Sequence, residues 1–216
     1  SDALKEVKQK IYLPIVEPKF SEVICVRDGV LQHVSYHEQR MKRTTRHFFA
    51  SDIVLPDLAK MIPQGAEKGK YKCRIVYGKD IESVEFSPYE AKIRQSVAIA
   101  TDDNIDYTYK STNRDALRNL VAKSGADDVI IIRNGKVTDA SYCNLVFEND
   151  KGELFTPKDA LLKGTCRQRL IDKGTVKECE IRREDIFSYR FVYFINAMMD
   201  LDECQKIETK QIIVNV

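Results

Sequence analysis

The chain has 216 residues and a formal net charge of +2, from 35 basic against 33 acidic residues. That length is enough for one large or two modest domains, and near-neutrality gives no polyanion-binding signal, so no nucleic-acid partner is expected. No apolar run approaches the roughly 20 residues of a membrane span, and Ser1-Asp2-Ala3-Leu4-Lys5-Glu6 carries no signal-peptide core, so a cytoplasmic protein without a membrane partner is expected.

In chain order, residues 1–19 are Lys-rich around an apolar stretch at 11–16 that suits an edge strand or an arm. Residues 22–26 read as a strand, Arg27-Asp28-Gly29 as a hairpin turn, and residues 30–36 as the returning strand. Residues 37–49 have helical character, with Met41 and Phe48 on the buried face. Residues 53–61 predict a short second helix, ended near Pro63 and Gly65. A hairpin over 71–78 and 81–86 follows, turning at Gly78-Lys79-Asp80, and then a strand over 95–100. Acidic, polar Thr101-Asp102-Asp103-Asn104 is the most linker-like place, which divides the chain into a smaller N-terminal α+β domain, residues 1–100, and a larger C-terminal one, residues 101–216.

The second half predicts a helix over 112–124 closed by Gly125, and an apolar strand over 128–133 turning at Asn134-Gly135. Strands over 144–148 and 153–156 precede a helix over 165–173, closed by Gly174, and an aromatic, β-branched strand over 191–196 ends the pattern. Six cysteines (Cys25, Cys73, Cys143, Cys166, Cys179, Cys204) form no CxxC pair, and there are only three histidines, His33, His37 and His47. Buried free thiols and no structural metal are therefore expected.

Three segments of the second half carry the chemistry. Lys110, in Tyr109-Lys110-Ser111-Thr112-Asn113-Arg114, follows aromatics that can desolvate its amine; desolvation lowers the pKa, and the neutral amine is the form that attacks an aldehyde. Read alone, it is an exposed lysine at a strand end. Asp139, in Thr138-Asp139-Ala140-Ser141-Tyr142-Cys143-Asn144, can pair with a pyridinium nitrogen, or else bond its own backbone in a turn. A strand there would aim Asp139, Ser141 and Cys143 to one side. Lys163-Gly164-Thr165-Cys166-Arg167-Gln168 suits an anion, because glycine lets the backbone approach and helix N-terminal amides point outward. Arg40, in His37-Glu38-Gln39-Arg40, can add a guanidinium to the same phosphate. A lysine, an acid and a phosphate cup are what a pyridoxal phosphate enzyme needs.

From about Phe20 to Leu201 the chain resembles the class IV aminotransferases, the fold-type IV pyridoxal phosphate family with branched-chain and D-amino acid aminotransferases and aminodeoxychorismate lyase. The resemblance implies a two-lobed, mixed α+β fold, D-amino acid aminotransferase-like, with the cofactor in the cleft, and a homodimer. It matches Lys110 to the lysine that bonds the cofactor aldehyde and Asp139, with Ser141 beside it, to the loop that meets the pyridine nitrogen. It matches Gly164, Thr165 and Cys166 to the phosphate-binding Gly-Ile-Thr, and Arg40 to the phosphate-binding arginine of His-x-x-Arg. Lys110-Ser111-Thr112-Asn113-Arg114, Gly164-Thr165-Cys166-Arg167-Gln168 and Asn196-Ala197-Met198-Met199 resemble lyase stretches, and the last implies that Asn196 and Ala197 lie near cofactor and substrate.

The chain also departs from the pattern. Asp139 stands for the usual Glu, Cys166 for a Thr, Tyr77-Gly78 for an Arg-Gly, and the Arg-Gly-x-x-x-Gly-Asp-Gly stretch is missing before Phe20. The substrate side falls to Arg74, Tyr77 and Tyr109. The resulting expectation is an aminodeoxychorismate lyase acting on a small amino substrate. An amino acid aminotransferase of branched-chain or D-amino acid type is the alternative, and a cofactor-free binding relic a further one.

Overall fold

The structure, a computed structural model, describes residues 16–214. The expected arm at 11–16 lies outside them but for Val16. β1 (Phe20–Arg27) turns through Asp28 and Gly29, both at positive φ, into β2 (Val30–Leu31). The return strand expected to residue 36 stops at Leu31, because α1 (Val34–Phe49) starts three residues later. α1 buries His37, Arg40, Met41, Thr44 and Thr45, the spacing of one helical face, and packs that face on β1. Phe48 continues the stripe but stays 40% exposed at the helix end, its ring 4.8 Å from Phe20 and 4.9 Å from Tyr109. The helix expected over 53–61 shrinks to one 3-10 turn, Leu58–Met61, since Pro56 pushes Leu55 toward an extended backbone.

β3 (Lys70–Tyr77) and β4 (Ile81–Pro88) complete an antiparallel sheet in the order β2-β1-β3-β4. Cys73, Ile75 and Tyr77 are fully buried, whereas Lys72, Arg74 and Val76 between them are not, so one face of β3 meets the core under α1 and the other faces the second half of the chain.

β5 (Val97–Thr101) and β6 (Asp128–Arg133) pair in parallel through α2 (Asp115–Ser124), and β7 (Lys136–Val137) adds an antiparallel edge. β5 thus belongs by hydrogen bonding to the second half, and sheet membership changes between Pro88 and Val97 rather than at residue 100. α2 begins three residues later than expected, because Ser111 Oγ accepts from Asn113 N and Asn113 Oδ1 from Asp115 N, two side-chain turns that hold the backbone out of the helix. Val129 to Ile132 are at most 1% exposed, as a strand covered on both faces requires: Ile130 and Ile132 join the central core, while Val129 and Ile131 pack under Leu117 of α2. Each such side chain contributes about 1.5–3 kcal/mol by leaving water.

The third sheet holds β8 (Asn144–Glu148), β9 (Leu154–Pro157), β10 (Lys177–Cys179), β11 (Phe191–Ile195) and β12 (Lys206–Glu208), in the order β10-β9-β8-β11-β12. β10 runs parallel to β9 across α3 (Thr165–Asp172). The architecture is the expected mixed α+β one. Five connections, between β4 and β5, before α2, between β7 and β8, before α3 and after β11, open onto one cavity that also meets β1, β3, α1 and α2.

Candidate active site

The cavity measures about 750 Å³, within the range of roughly 300–1,000 Å³ typical of small-molecule sites. Lys110 reaches it from a segment stapled to β1: Ser21 N donates to Lys110 O at 2.9 Å and Thr112 N to Lys19 O at 2.9 Å. Tyr107, also in the wall, donates to Ser111 O at 3.2 Å and braces the turn that presents the lysine. Burial, with the Arg40 guanidinium nearby, lowers the amine's pKa from 10.5 to about 8. Near neutrality a useful fraction of Lys110 is therefore the nucleophilic free base.

Asp139 lines the same cavity and is 4% exposed. Its segment is a loop, not the strand that alternation suggested, yet Asp139, Ser141 and Cys143 all reach the cavity, as does Tyr142 between them. Burial raises Asp139 to about 6, against two hydrogen bonds that favour the carboxylate: Leu162 N donates to Oδ2 at 3.0 Å and Asn144 Nδ2 to Oδ1 at 2.8 Å. Asn144 also donates to Leu162 O at 2.9 Å, so it ties the acid to the approach of α3. Gly164 is required there for a steric reason, since a Cβ would sit 2.0 Å from Asn144 Oδ1. Asn144 was not singled out in the sequence. Its position five residues after an acid and at the start of a strand is the only local signal, and nothing local says that it turns back.

Gly164 and Thr165 place the start of α3 at the cavity, and no side chain caps it, so its first amides remain free for an anion. Arg40 lines the same cavity from α1. Glu22, fully buried in β1, accepts from Arg40 Nε at 2.7 Å and Nη2 at 2.6 Å and lies 2.7 Å from His37 Nδ1. Burial alone would raise Glu22, but Arg40 and His37 outweigh it and hold the carboxyl at about 2. Glu22 therefore fixes Arg40 as a permanently charged, oriented donor. Asn196 and Ala197 line the cavity too; Asn196 Oδ1 accepts from Met198 N at 2.9 Å and shapes the loop after β11.

Four expected site residues lie elsewhere. Cys166 is one residue round the α3 turn from Thr165, so it points into the core beside Val146 and Leu170, and burial pushes its thiol up to about 12. It does not line the cavity. Tyr77 is fully buried in the core under α1, because the odd-numbered positions of β3 face that core. Arg74 shares a face with Lys72 and Val23 but does not line the cavity, which Lys72 does. Tyr109 stacks on His47, rings 4.9 Å apart, and does not line the cavity. Arg167, from the Gly-x-x-Arg-Gln stretch, is also turned inward and holds Pro157 O at 3.1 Å and Glu178.

These groups fit pyridoxal phosphate. A desolvated amine, a buried carboxylate held by two donors, an uncapped helix start and an oriented guanidinium share one cavity of sufficient size. Comparison with known proteins places the chain among relatives of the same build. A protein of Haemophilus influenzae described as uncharacterized is 33% identical over 184 residues, 83% of this chain and 97% of its own length. A crystal structure from Haemophilus somnus, provisionally named a 4-amino-4-deoxychorismate lyase, is 33% identical with a TM-score of 0.77, covering 87% of this chain and all of that one. The pyridoxal phosphate-bound form of a hypothetical aminotransferase from Mycobacterium tuberculosis shares the fold, with a TM-score of 0.71 at 19% identity over 92% of this chain and 81% of that one. The amino-transferase class IV family model matches residues 19–207, which include every residue lining the cavity, and the chain belongs to that pyridoxal phosphate-dependent family.

Proposed function

We propose that the protein is a pyridoxal phosphate-dependent enzyme that converts 4-amino-4-deoxychorismate into 4-aminobenzoate and pyruvate. The observation that carries the cofactor part is the meeting of Lys110, Asp139 and the uncapped start of α3 in one cavity with Arg40. The lyase part is supported by Lys110-Ser111-Thr112-Asn113-Arg114 and Asn196-Ala197-Met198-Met199, and by the 33% identity to the Haemophilus somnus protein of that provisional name. The reading includes a cytoplasmic homodimer with a small amino-bearing substrate; no helix among the described residues is long and apolar enough to cross a membrane.

When bound, the cofactor supplies an aldehyde that bonds an amine and a protonated pyridine ring that draws electrons from the carbon losing its proton. Lys110 Nζ would hold that aldehyde, and as a free amine, its pKa lowered to about 8, it can take and return a proton near neutral pH. Asp139, anchored by Asn144 and Leu162, orients and keeps protonated the ring nitrogen. Thr165, the first amides of α3 and Arg40 hold the phosphate. Tyr107, Tyr142 and Met198 cover the cavity walls and limit water around the amine.

The test has two stages. Purified protein given the cofactor should turn yellow and bleach with borohydride, and Lys110→Ala should do neither; a wild-type protein that stays colourless sinks the cofactor reading. The loaded enzyme should release pyruvate from 4-amino-4-deoxychorismate. Keto-acid formation from amino acids without pyruvate release would instead make it an aminotransferase.

A further inference from the structure

We propose that Arg114 receives a substrate carboxylate, a role that rests on the enzymatic reading of the same cavity. Three guanidiniums line the cavity; that of Arg118 is exposed and lies 3.9 Å from Asp115, while those of Arg40 and Arg114 act on Lys110 and differ in what they lack. Arg40 is ion-paired with Glu22. Arg114 has no carboxylate within 4 Å among the described residues, and its Nε is buried without a hydrogen-bond partner. A buried donor left unpaired costs about 1–3 kcal/mol, and more when charged, so such an orphan calls for an acceptor.

Arg114 is also held in place. Its Nη2 donates to Ser141 O at 2.5 Å. The same residue is gripped from its other side, where Ser141 N donates to Asp128 Oδ1 at 3.1 Å. Asp128 Oδ2 in turn accepts from Arg94 Nε at 2.6 Å, and the Arg94 guanidinium lies between the rings of Tyr142, at 4.5 Å, and Phe194, at 4.2 Å. Arg114 is thus preorganised: one edge of its fork is spent on the loop, and the remaining donors match the two oxygens of a carboxylate. Leu117 and Val121, one and two turns further along α2, line the same wall. The ligand this wall fits is a carboxylate borne on an apolar or aromatic body.

Benzoate and its uncharged isostere benzamide probe this directly, by calorimetric titration of the cofactor-loaded protein. Wild type should prefer benzoate. Arg114→Gln should lose at least about tenfold of that preference, a change of 1.4 kcal/mol, and Arg114→Lys should recover part of it. The absorbance of the loaded protein should be unchanged in both variants. Preference retained in Arg114→Gln overturns the proposal. A changed absorbance with preference retained also overturns it and assigns the guanidinium to the cofactor instead. Should Arg114→Gln fail to fold, a benzoate preference in Arg114→Lys equal to wild type overturns it as well. Failure of wild type to take up cofactor is a separate result, which removes the enzymatic reading itself.

Discussion

Replacing Gly164 by alanine should damage the acid of the site without touching it. The added Cβ would stand 2.0 Å from Asn144 Oδ1 and 3.2 Å from Cγ, far inside contact distance. The side chain of Asn144 can swing away only by giving up its bonds to Asp139 Oδ1, at 2.8 Å, and Leu162 O, at 2.9 Å. The first is charge-assisted and contributes about 1.5–3 kcal/mol, the second about 0.5–1.5 kcal/mol. A backbone shift that keeps both bonds costs about 1–3 kcal/mol in overpacking. Gly164→Ala should therefore take the cheaper route, lose about 1–3 kcal/mol in urea unfolding and bind cofactor more weakly in a spectral titration. Asn144→Ala alone, which loses both bonds, should cost about 2–4 kcal/mol. The double variant should cost no more than Asn144→Ala, because the clash partner is gone, giving a coupling energy of about 1–3 kcal/mol. Additivity within 0.5 kcal/mol, or a Gly164→Ala protein as stable as wild type, would refute the steric reasoning.

In cofactor-free protein Lys110→Met should raise stability by about 1–3 kcal/mol at pH 7, where the wild-type amine must be carried charged in a half-buried place. The folded pKa of about 8 lies below the unfolded 10.5, so the unfolded state holds more protons in that interval, and wild-type stability rises with pH there. The advantage of the variant should fade between pH 8 and 10.5 in thermal melts, and a pH-independent difference would contradict it. Glu22→Gln should destabilise by about 3–5 kcal/mol, since it leaves Arg40 charged and unpaired in the interior. With Glu22 at about 2 against 4.5 when unfolded, its contribution is present above pH 4.5 and is lost as pH falls toward 2. Acid titration of Glu22→Gln should lack that component of the wild-type curve.

Much of the site was legible because its residues announce their chemistry locally. An amine after a run of aromatics, an acid in a small-residue loop and a glycine before a helix each need only a few neighbours to be recognised, and Lys110, Asp139, Ser141, Gly164, Thr165, Arg40, Asn196 and Ala197 all reach the cavity. Facing was less legible. Cys166 follows Thr165 by about 100° of helix rotation, and that rotation takes it from cavity to core. Tyr77 and Lys72 belong to opposite faces of β3, and only the packing of α1 on one face says which is buried.

What the sequence determined by itself was most of the longer strands and helices, through hydrophobic period and turn residues, and the kinds of group available for chemistry. The tertiary structure alone decided their partners. Ser21 holds the backbone of Lys110 across 89 positions, Glu22 holds Arg40 across 18, and Leu162 holds Asp139 across 23. Those pairings set the charge, orientation and pKa of each group, and they depend on distances through space that no local pattern encodes.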